Sequence, residues 1–208
     1  MIVTSPRPSK IVCVGRNYLE HARELGNEVP ERPLLFFKPP SSLVSDGDAI
    51  VLPPESAQVE HEGEIAVVIG ARARHVTVEN AMRYVAAFAP LNDVTARDLQ
   101  KTDGQWTRAK GFDTFCPIGT FVPAAEVDVA SLEVICRVNG QVRQHGYARD
   151  MAFDIPTLVS YISGIMTLEP GDVIATGTPA GVGPLRPGDR VEVEIPGVGT
   201  LYNPVEAA

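Results

Sequence analysis

The sequence predicts a single β-rich α+β domain, in which strands fold over a core and a few helices lie beside it. Its 18 glycines and 18 prolines are spread along the chain as turn residues, with no internal repeat and no separate linker. The apolar segments between these turns are short, as strands are. A chain of 208 residues with 44% hydrophobic and 21% charged residues can bury one sizeable core, so we expect one domain over residues 1–208.

The first half of the chain is predicted to form mainly strands. Short apolar runs between turn residues place them at residues 11–15, 34–37, 49–52 and 59–69, and another strand leads up to residue 93. The segment 59–69 ends in the unbroken apolar run IAVVI. Such a run indicates a strand that is buried on both faces.

Two short helices are predicted among these strands. The first covers residues 17–25, with Tyr18, Ala22 and Leu25 on one side and Gly26 as its C-terminal cap. Thr77 is the predicted N-cap of the second. The apolar residues of that second helix recur at three- and four-residue spacing, at Val78, Ala81, Met82 and Val85.

The second half of the chain contains a hairpin signal and one longer helix. Strands at 133–138 and 141–144 flank the pair Asn-Gly at 139–140, which suits the positive φ angles of a type I′ turn. Asp154 is the predicted N-cap of a helix that runs to about residue 163. The remaining predicted strands lie at residues 173–176 and 190–195.

Composition excludes several classes of function. A formal net charge of −8 argues against a nucleic-acid partner, because such proteins need a basic surface. The apolar runs are far shorter than the roughly 20 residues that cross a bilayer, and the first residues lack the features of a secretory signal, so we expect a cytoplasmic protein. Three cysteines without C-x-x-C spacing favour neither a disulfide framework nor a zinc site: Cys13, Cys116 and Cys136.

Three acidic residues form a candidate metal site. Glu62 and Glu64 are two apart in a predicted strand, so their side chains project from one face, and Asp93 follows another strand. Carboxylates that share a buried face repel each other unless a cation lies between them, and their hard oxygens suit Mg²⁺ or Mn²⁺. The alternative is a solvated strand edge. His61 projects from the opposite face, which indicates either a structural role or a role in supporting the ligands from behind.

Two further groups of polar residues are candidates for catalysis and binding. His21 and Glu24 lie three apart on the first helix, where the carboxylate could orient the imidazole as a general base; the alternative is an ordinary surface pair. Arg97, Gln100 and Lys110 follow Asp93 and could hold a carboxylate or an oxo group. The alternative for these three is solvated charge on a short helix.

The glycine-rich run TGTPAGVG at residues 176–183 has two interpretations. No Lys-Ser or Lys-Thr pair follows it, so it is not a nucleotide-binding loop of the Walker type. It could bring backbone amides and the Thr178 hydroxyl close to a small anion. It could instead be a tight connection between strands, which is the interpretation that the residues alone favour.

Six motifs in order resemble the fumarylacetoacetate hydrolase family over residues 11–201, and most closely its short acylpyruvase and oxaloacetate decarboxylase branch. They are VCVGRNYLEHARELG, FFKP, VEHEGEIAVVIG, NDVTARDLQ, AKGFDTFCPIG and GDVIATGTPAGVG. The resemblance implies the mixed β-sandwich roll of the C-terminal domain type of this family, which is usually assembled as a homodimer. This agrees with the strand-rich pattern above.

The resemblance also implies a role for each candidate residue. It assigns the metal ligands to Glu62, Glu64 and Asp93, with Mg²⁺ as cofactor and Mn²⁺ as a substitute. It implies catalytic roles for His21, Glu24 and Lys110. It implies that a small 2-oxo acid substrate is held by Arg97, Gln100, Lys110 and Thr178.

The implied activity is cleavage of a carbon–carbon bond in a small 2-oxo acid. In an acylpyruvate hydrolase, His21 backed by Glu24 would activate water, whereas an oxaloacetate decarboxylase needs no water. Two alternatives stay open. One is an isomerase or decarboxylase of the 2-oxo-diacids of aromatic degradation, and the other is a non-catalytic, metal-stabilised β module that binds a small acid or a protein partner.

Overall fold

The computed structural model describes residues 8–24, 26 and 30–208, and for residues 21–23 the backbone alone. Within this part of the chain the strands are β1 (Ile11–Gly15), β2 (Leu34–Lys38), β3 (Leu43–Val44), β4 (Ile50–Leu52), β5 (Val59–His61), β6 (Gly63–Ile69), β7 (Val85–Asn92), β8 (Thr95–Ala96), β9 (Cys116–Pro117), β10 (Val122–Pro123), β11 (Glu133–Val138), β12 (Gln141–Tyr147), β13 (Val173–Ala175), β14 (Gly183–Pro184), β15 (Arg190–Ile195) and β16 (Gly199–Ala207).

Helices are short and few in the described residues. The α-helices are α1 (Leu19–Glu24), α2 (Arg97–Thr102), α3 (Thr107–Lys110) and α4 (Ile155–Ile165). The 3₁₀ segments are Pro40–Ser42, Val78–Tyr84, Ala124–Glu126, Val129–Ser131 and Ala148–Asp150. None of the helices in this part of the chain combines the length and the apolar character that crossing a bilayer requires.

Two mixed sheets pack face to face as a sandwich. One has six strands in the order β10-β7-β6-β13-β1-β2, and only its β1–β13 pair is parallel. The other has five strands in the order β12-β11-β15-β16-β4. Strands β6 and β7 of the first sheet contact β11 and β15 of the second, which places the main core between the sheets. The predicted mixed, β-rich sandwich is therefore confirmed.

The central strands of the six-stranded sheet are buried on both faces. In β1, Val12 and Val14 belong to the main core, whereas Ile11 and Cys13 point into a second apolar cluster on the other face. Every residue of β6 is buried, as the unbroken apolar run predicts. This double burial explains why the central strands are apolar throughout rather than alternating.

Several local predictions are confirmed. The hairpin between β11 and β12 turns at Asn139 and Gly140, whose φ angles of 54° and 77° match a type I′ turn. The side chain of Asp154 accepts a hydrogen bond from Thr157 N at 2.9 Å and so caps α4. Gly26 has a φ of 69°, as expected for a glycine that follows a helix. The side chains of Ala22 and Leu25 lie outside the described residues.

Other local predictions are wrong. The segment predicted as one strand at 59–69 is broken at Glu62, which separates β5 from β6. The predicted helix after Thr77 is a 3₁₀ segment, the Thr77 side chain makes no capping hydrogen bond to it, and Val85 already begins β7. Apolar spacing of three and four residues fits a 3₁₀ turn as well as an α-helix over so few residues, so the pattern could not separate them.

Candidate active site

Three carboxylates meet where strand β6 begins and the neighbouring strand β7 ends. Glu62 directly precedes β6, Glu64 is its second residue, and Asp93 directly follows β7. The antiparallel register pairs Gly63 with Asn92, and Asp93 N donates to Glu62 O at 2.9 Å. One oxygen from each carboxylate lies within 4.8 Å of the others. The side chains predicted to share a metal therefore lie together, and all three are buried.

The glycine between the two glutamates is required by packing. A Cβ atom on Gly63 would lie 2.9 Å from Cys136 Cβ on β11, the strand that covers this part of the sheet. Asn92 accepts a hydrogen bond from Glu62 N at 2.9 Å. Backbone and side chain thus hold the break between β5 and β6 in one conformation, and this sets the direction of the Glu62 side chain.

Two buried lysines bind the acidic cluster. Lys110 Nζ donates to Glu62 Oε2 at 2.8 Å and to Asp93 Oδ2 at 2.7 Å. Lys38 Nζ donates to the other oxygen of Asp93 at 2.5 Å and to Val94 O at 2.9 Å. Lys38 and Lys110 are only 1% and 2% exposed, so these ion pairs are shielded from solvent and from salt.

Arg97 positions Glu62 from the other side. Its Nη2 donates to Glu62 Oε1 at 2.5 Å, its Nε to Glu60 Oε2 at 2.8 Å, and its Nη1 to Gln100 Oε1 at 2.6 Å. Three of the five guanidinium N–H donors are therefore used within the protein. The carboxamide oxygen of Gln100 is engaged as well, which leaves its NH₂ group as a donor.

The charges of the cluster control the protonation of its members. Burial alone would lower the pKa of Lys110, but Asp93 and Glu62 outweigh burial and raise this pKa to about 12. Lys110 is therefore an ammonium at neutral pH and acts as a hydrogen-bond donor, not as a base. Burial, followed by the charges of Asp93 and Glu62, raises the pKa of Glu64 well above its ordinary value.

These residues fit a divalent cation of the hard class. The donor set is three carboxylates, which is the chemistry that Mg²⁺ and Mn²⁺ prefer. Glu64 faces two other carboxylates and accepts a hydrogen bond from Gly177 N at 2.8 Å, with no lysine or arginine bound to it in the described residues. A cation next to Glu64 would stabilise the ionised carboxylate that burial disfavours.

The glycine-rich run at 176–183 serves the site directly. Gly177 has a φ of +101°, and a Cβ atom there would lie 2.7 Å from Asn17 Cβ, so only glycine brings this amide to Glu64. The Thr178 hydroxyl donates to Gly63 O at 2.8 Å and accepts from Gln144 Nε2 at 2.7 Å. The loop is therefore more than a strand connection, because its Gly177 amide donates to the Glu64 carboxylate.

Most of the predicted site residues line one cleft of about 430 Å³, a volume that includes its open mouth. Its lining residues are Val14, Gly15, Arg16, Phe36, Glu62, Glu64, Asp93, Arg97, Gln100, Trp106, Lys110 and Thr178. The rings of Phe36 and Trp106 meet edge to face, with centroids 5.2 Å apart.

The predicted acid–base pair is only partly described. Glu24 does not line the cleft; both of its carboxylate oxygens accept from Gly181 N at 3.1 Å, which connects α1 to the loop that carries Thr178. The side chain of His21 lies outside the described residues. The catalytic roles of His21 and Glu24 stay predictions.

His61 contacts a buried network behind the site, as strand alternation predicts. Its Nδ1 lies 3.0 Å from Gln144 Oε1, which also accepts from Gly63 N at 2.9 Å. Burial lowers the pKa of His61, so the imidazole is neutral. Gln144 connects this network to Thr178, and nothing in the sequence around Gln144 indicated that role.

Sequence reasoning assigned no role to two charged residues that bind the cluster, Lys38 and Glu60. A lysine within the apolar run FFKPP is a signal of a buried, paired charge that could have found Lys38. Extending the alternation of Glu62 and Glu64 one step back reaches Glu60, which binds Arg97 rather than joining the three ligands.

Residues 10–206 match the model of the fumarylacetoacetate (FAA) hydrolase C-terminal family. The chain belongs to the fumarylacetoacetate hydrolase family. It is 49% identical over 203 residues to the mitochondrial oxaloacetate tautomerase of Arabidopsis thaliana, covering 95% of this chain and 91% of that protein. It is 47% identical over 197 residues to the mitochondrial oxaloacetate decarboxylase of Dictyostelium discoideum, covering 92% and 90%.

A solved member of the family has the same fold. The structure of fumarylpyruvate hydrolase from Pseudomonas aeruginosa, in complex with Mn²⁺ and pyruvate, superposes with a TM-score of 0.93 at 30% identity, covering 99% of this chain and 93% of that chain. The motif-based resemblance to the fumarylacetoacetate hydrolase family is therefore confirmed.

We expect Mg²⁺ to raise the melting temperature of this fumarylacetoacetate hydrolase family member, and to do so more strongly as pH rises. A raised pKa for Glu64 means that the metal-free folded state holds its proton above the ordinary value near 4.5 and loses stability as pH increases toward the raised pKa. Cation binding needs the ionised carboxylate and therefore strengthens over the same range.

Melting curves with Mg²⁺ or with a chelator, at constant ionic strength between about pH 5 and pH 8, measure this increment. An increment that is absent, or that is equal at every pH, would contradict the expected coupling between Glu64 and the cation. Na⁺ at matched ionic strength is the control for non-specific salt effects.

Proposed function

We propose that the protein is a metal-dependent enzyme that acts on small 2-oxo acids, with Mg²⁺ as cofactor and Mn²⁺ as a substitute. The observation that carries this proposal is the buried cluster of Glu62, Glu64 and Asp93 beside Lys110 in one cleft. Membership of the fumarylacetoacetate hydrolase family supports it. Two relatives, which are named oxaloacetate decarboxylase and oxaloacetate tautomerase, support it as well.

The chain's own donors can bind the substrate oxygens beside the cluster. Lys110 has three N–H donors, and Glu62 and Asp93 take two of them, so one remains for a substrate oxygen. The NH₂ group of Gln100 is a second donor that lines the cleft. In a cleft with buried carboxylates and an aromatic wall, such donors act in a low dielectric and stabilise charge more strongly than in water.

When bound by Glu62, Glu64 and Asp93, a divalent cation supplies a Lewis acid for the negative charge that develops on the 2-oxo oxygen. Lys110 and Gln100 add hydrogen bonds to the same charge. Thr178 has its hydroxyl proton engaged with Gly63 O, so it offers a substrate an acceptor rather than a donor. Arg97 holds Glu62 in position in the proposed reaction and retains two N–H donors.

Oxaloacetate decarboxylation and tautomerisation are the first reactions of this enzyme to test. The relatives named for oxaloacetate are 47% and 49% identical to the chain. Acylpyruvate hydrolysis is the second candidate, because fumarylpyruvate hydrolase shares the fold at 30% identity. Hydrolysis has the further requirement of an activated water, for which His21 is the proposed base and Glu24 its partner.

A non-catalytic β module is the rival function. It needs the three carboxylates but makes no demand on Lys110 or Gln100. The placement of both residues at the cluster favours the enzyme.

Parallel assays of oxaloacetate and acetylpyruvate test the proposed function. The folded protein is incubated with Mg²⁺, Mn²⁺ or a chelator, and loss of each acid and the enol–keto ratio of oxaloacetate are followed. We expect metal-dependent turnover of at least one acid. If the metal-saturated, folded protein turns over neither, the rival module is favoured.

We further propose that the protein is a cytoplasmic homodimer. The family resemblance supports the assembly. So does Phe37, which is 48% exposed on β2. In the described part of the chain β2 is the last strand of the six-stranded sheet, and the free edge of such a strand can pair with another chain. Light scattering at micromolar concentration is expected to give twice the monomer mass of 22.3 kDa. A monomer mass would refute the dimer.

A further inference from the structure

Arg16 is a cationic residue of the cleft to which no role has been assigned above. It directly follows β1, it lines the same cleft as the three carboxylates, and it is half-buried. Its φ angle is 58°, in the left-handed region that residues with a Cβ atom rarely adopt. Backbone strain of this kind is found at many binding and catalytic sites.

The neighbours of Arg16 hold this backbone conformation in place. Asn17 is completely buried, and its side chain donates to Phe153 O at 3.0 Å and Thr176 O at 2.8 Å and accepts from Phe153 N at 2.9 Å. On the other side, Gly15 packs closely against the Trp106 ring. Arg16 therefore lies at the cleft between two residues that are held firmly in place.

Arg16 differs from the other cations of the cleft in its bonding. Arg97 and Lys110 both form ion pairs with carboxylates of the cluster. Within the described part of the chain, the guanidinium of Arg16 makes no hydrogen bond and no ion pair. A half-buried guanidinium in this state has all of its donors available to a ligand, and its fork geometry matches a carboxylate.

The charge of the site indicates what Arg16 adds. Among the described residues, the other charged groups that are bonded in or around the acidic cluster are four carboxylates and three cations, namely Glu60, Glu62, Glu64, Asp93, Lys38, Arg97 and Lys110. Together with one divalent cation they leave a single positive charge, which the carboxylate beside the 2-oxo group of a substrate neutralises. Arg16 supplies the positive charge that a second carboxylate would neutralise.

We propose that Arg16 binds the second carboxylate of the substrate, so that the site selects 2-oxo diacids over 2-oxo monoacids. This specificity rests on the proposed function, in which the first carboxylate and the 2-oxo group lie beside Glu62, Glu64 and Asp93. Oxaloacetate belongs to the selected class, and acetylpyruvate does not.

Calorimetric binding to the Mg²⁺-loaded protein separates the two classes without turnover. The probes are 2-oxoglutarate, a diacid, and 2-oxobutyrate, a monoacid. We expect the diacid to bind wild type more tightly. Arg16→Gly is expected to weaken the diacid by about 10- to 100-fold, as for the loss of a hydrogen bond between charged groups, and to leave the monoacid within about threefold. Arg16→Lys keeps the positive charge but not the planar fork of the guanidinium, so we expect its affinity for the diacid to lie between those of wild type and Arg16→Gly.

Glycine is compatible with the left-handed backbone conformation at position 16, so Arg16→Gly is expected to fold. Glycine adopts a φ of 58° without the steric cost that arginine carries. We therefore expect the melting temperature of Arg16→Gly to stay close to that of wild type. If a partial loss of folding were the cause of weaker binding, both acids would weaken together, and that result would overturn the proposal.

Equal affinity of wild type for the two acids would also overturn the proposal, whether or not the protein is an enzyme. The proposed function fails by a different result, which is the absence of metal-dependent turnover of oxaloacetate and acetylpyruvate. Diacid binding that depends on Arg16 in a protein without turnover would uphold the specificity of Arg16 and count against catalysis alone.

Discussion

Replacing Glu64 by glutamine is expected to lower metal-dependent turnover by roughly 10³-fold while the protein stays folded. Several kcal/mol of charge stabilisation is what a bound cation supplies to such a reaction, and about 4 kcal/mol corresponds to that factor. Glutamine keeps the size of the side chain and an oxygen that can accept from Gly177 N. It removes a negative charge whose ionisation burial already opposes, so we expect the metal-free variant to melt at or above the wild-type temperature.

The choice of Glu64 rather than Asp93 follows from their ion pairs. Asp93 binds both Lys38 and Lys110, so Asp93→Asn leaves two buried ammonium groups without that partner. Removing one partner of a buried pair costs about 3–5 kcal/mol, which is a large part of a domain's stability. Loss of activity in Asp93→Asn would therefore mix loss of metal with loss of folding.

Three measurements on Glu64→Gln and Asp93→Asn separate these effects. They are the initial rate at saturating Mg²⁺, the affinity for Mn²⁺ by calorimetry, and the melting temperature with a chelator. For Glu64→Gln we expect weak metal binding and unchanged or higher metal-free stability. Wild-type turnover and Mn²⁺ affinity in this variant would remove Glu64 from the ligand set.

The cluster of Glu62, Glu64 and Asp93 was predictable because it depends on local periodicity and on strand ends. Residues two apart on a strand project from the same face, and this holds for the side chains of Glu62 and Glu64 even though the strand is broken between β5 and β6. Asp93 ends the neighbouring strand, and adjacent antiparallel strands bring such ends together. Patterns of this kind are properties of the backbone and are visible without tertiary structure.

The partners of the cluster were not predictable in this way. Lys38 reaches Asp93 across 55 positions, and Gln144 reaches Thr178 across 34. No periodicity links residues so distant in sequence, since their contact depends on sheet order and on the packing of one sheet against the other. Family motifs supplied Lys110 and Thr178 because they record the result of that packing, but a motif states a residue and not its hydrogen bonds.

Arg97 illustrates the same limit. Its spacing from Gln100 predicts that the two lie on one face of a helical turn, and in α2 they are hydrogen-bonded. Spacing did not predict that Glu60 and Glu62 would bind the guanidinium. In the structure Arg97 holds the Glu62 carboxylate in position, whereas its role toward the substrate stays a prediction.

His21→Ala is expected to lower kcat for acylpyruvate hydrolysis by roughly 10²- to 10⁴-fold, the usual contribution of a general base. KM should change much less, because Lys110, Gln100 and the cation held by the acidic cluster would still bind the 2-oxo acid end. Hydrolysis by wild type should fall on the acid side as the imidazole gains a proton. Oxaloacetate decarboxylation needs no activated water, so the same variant should lose less of that activity.

Glu24→Gln should show a milder loss, and the structure gives a second reason for it. Both oxygens of Glu24 accept from Gly181 N, so the charge also holds α1 against the loop that carries Thr178. Glu20→Gln on the same helix is the matched control. Glu20 is an exposed acidic residue of α1 that does not line the cleft and does not lie three residues from His21, as Glu24 does. Rates for acetylpyruvate and oxaloacetate across all three variants, with metal content and melting temperature checked for each, test the base directly. If His21→Ala, folded and metal-loaded, hydrolyses acetylpyruvate within about threefold of wild type, His21 is not the base, since general-base catalysis contributes far more than that factor.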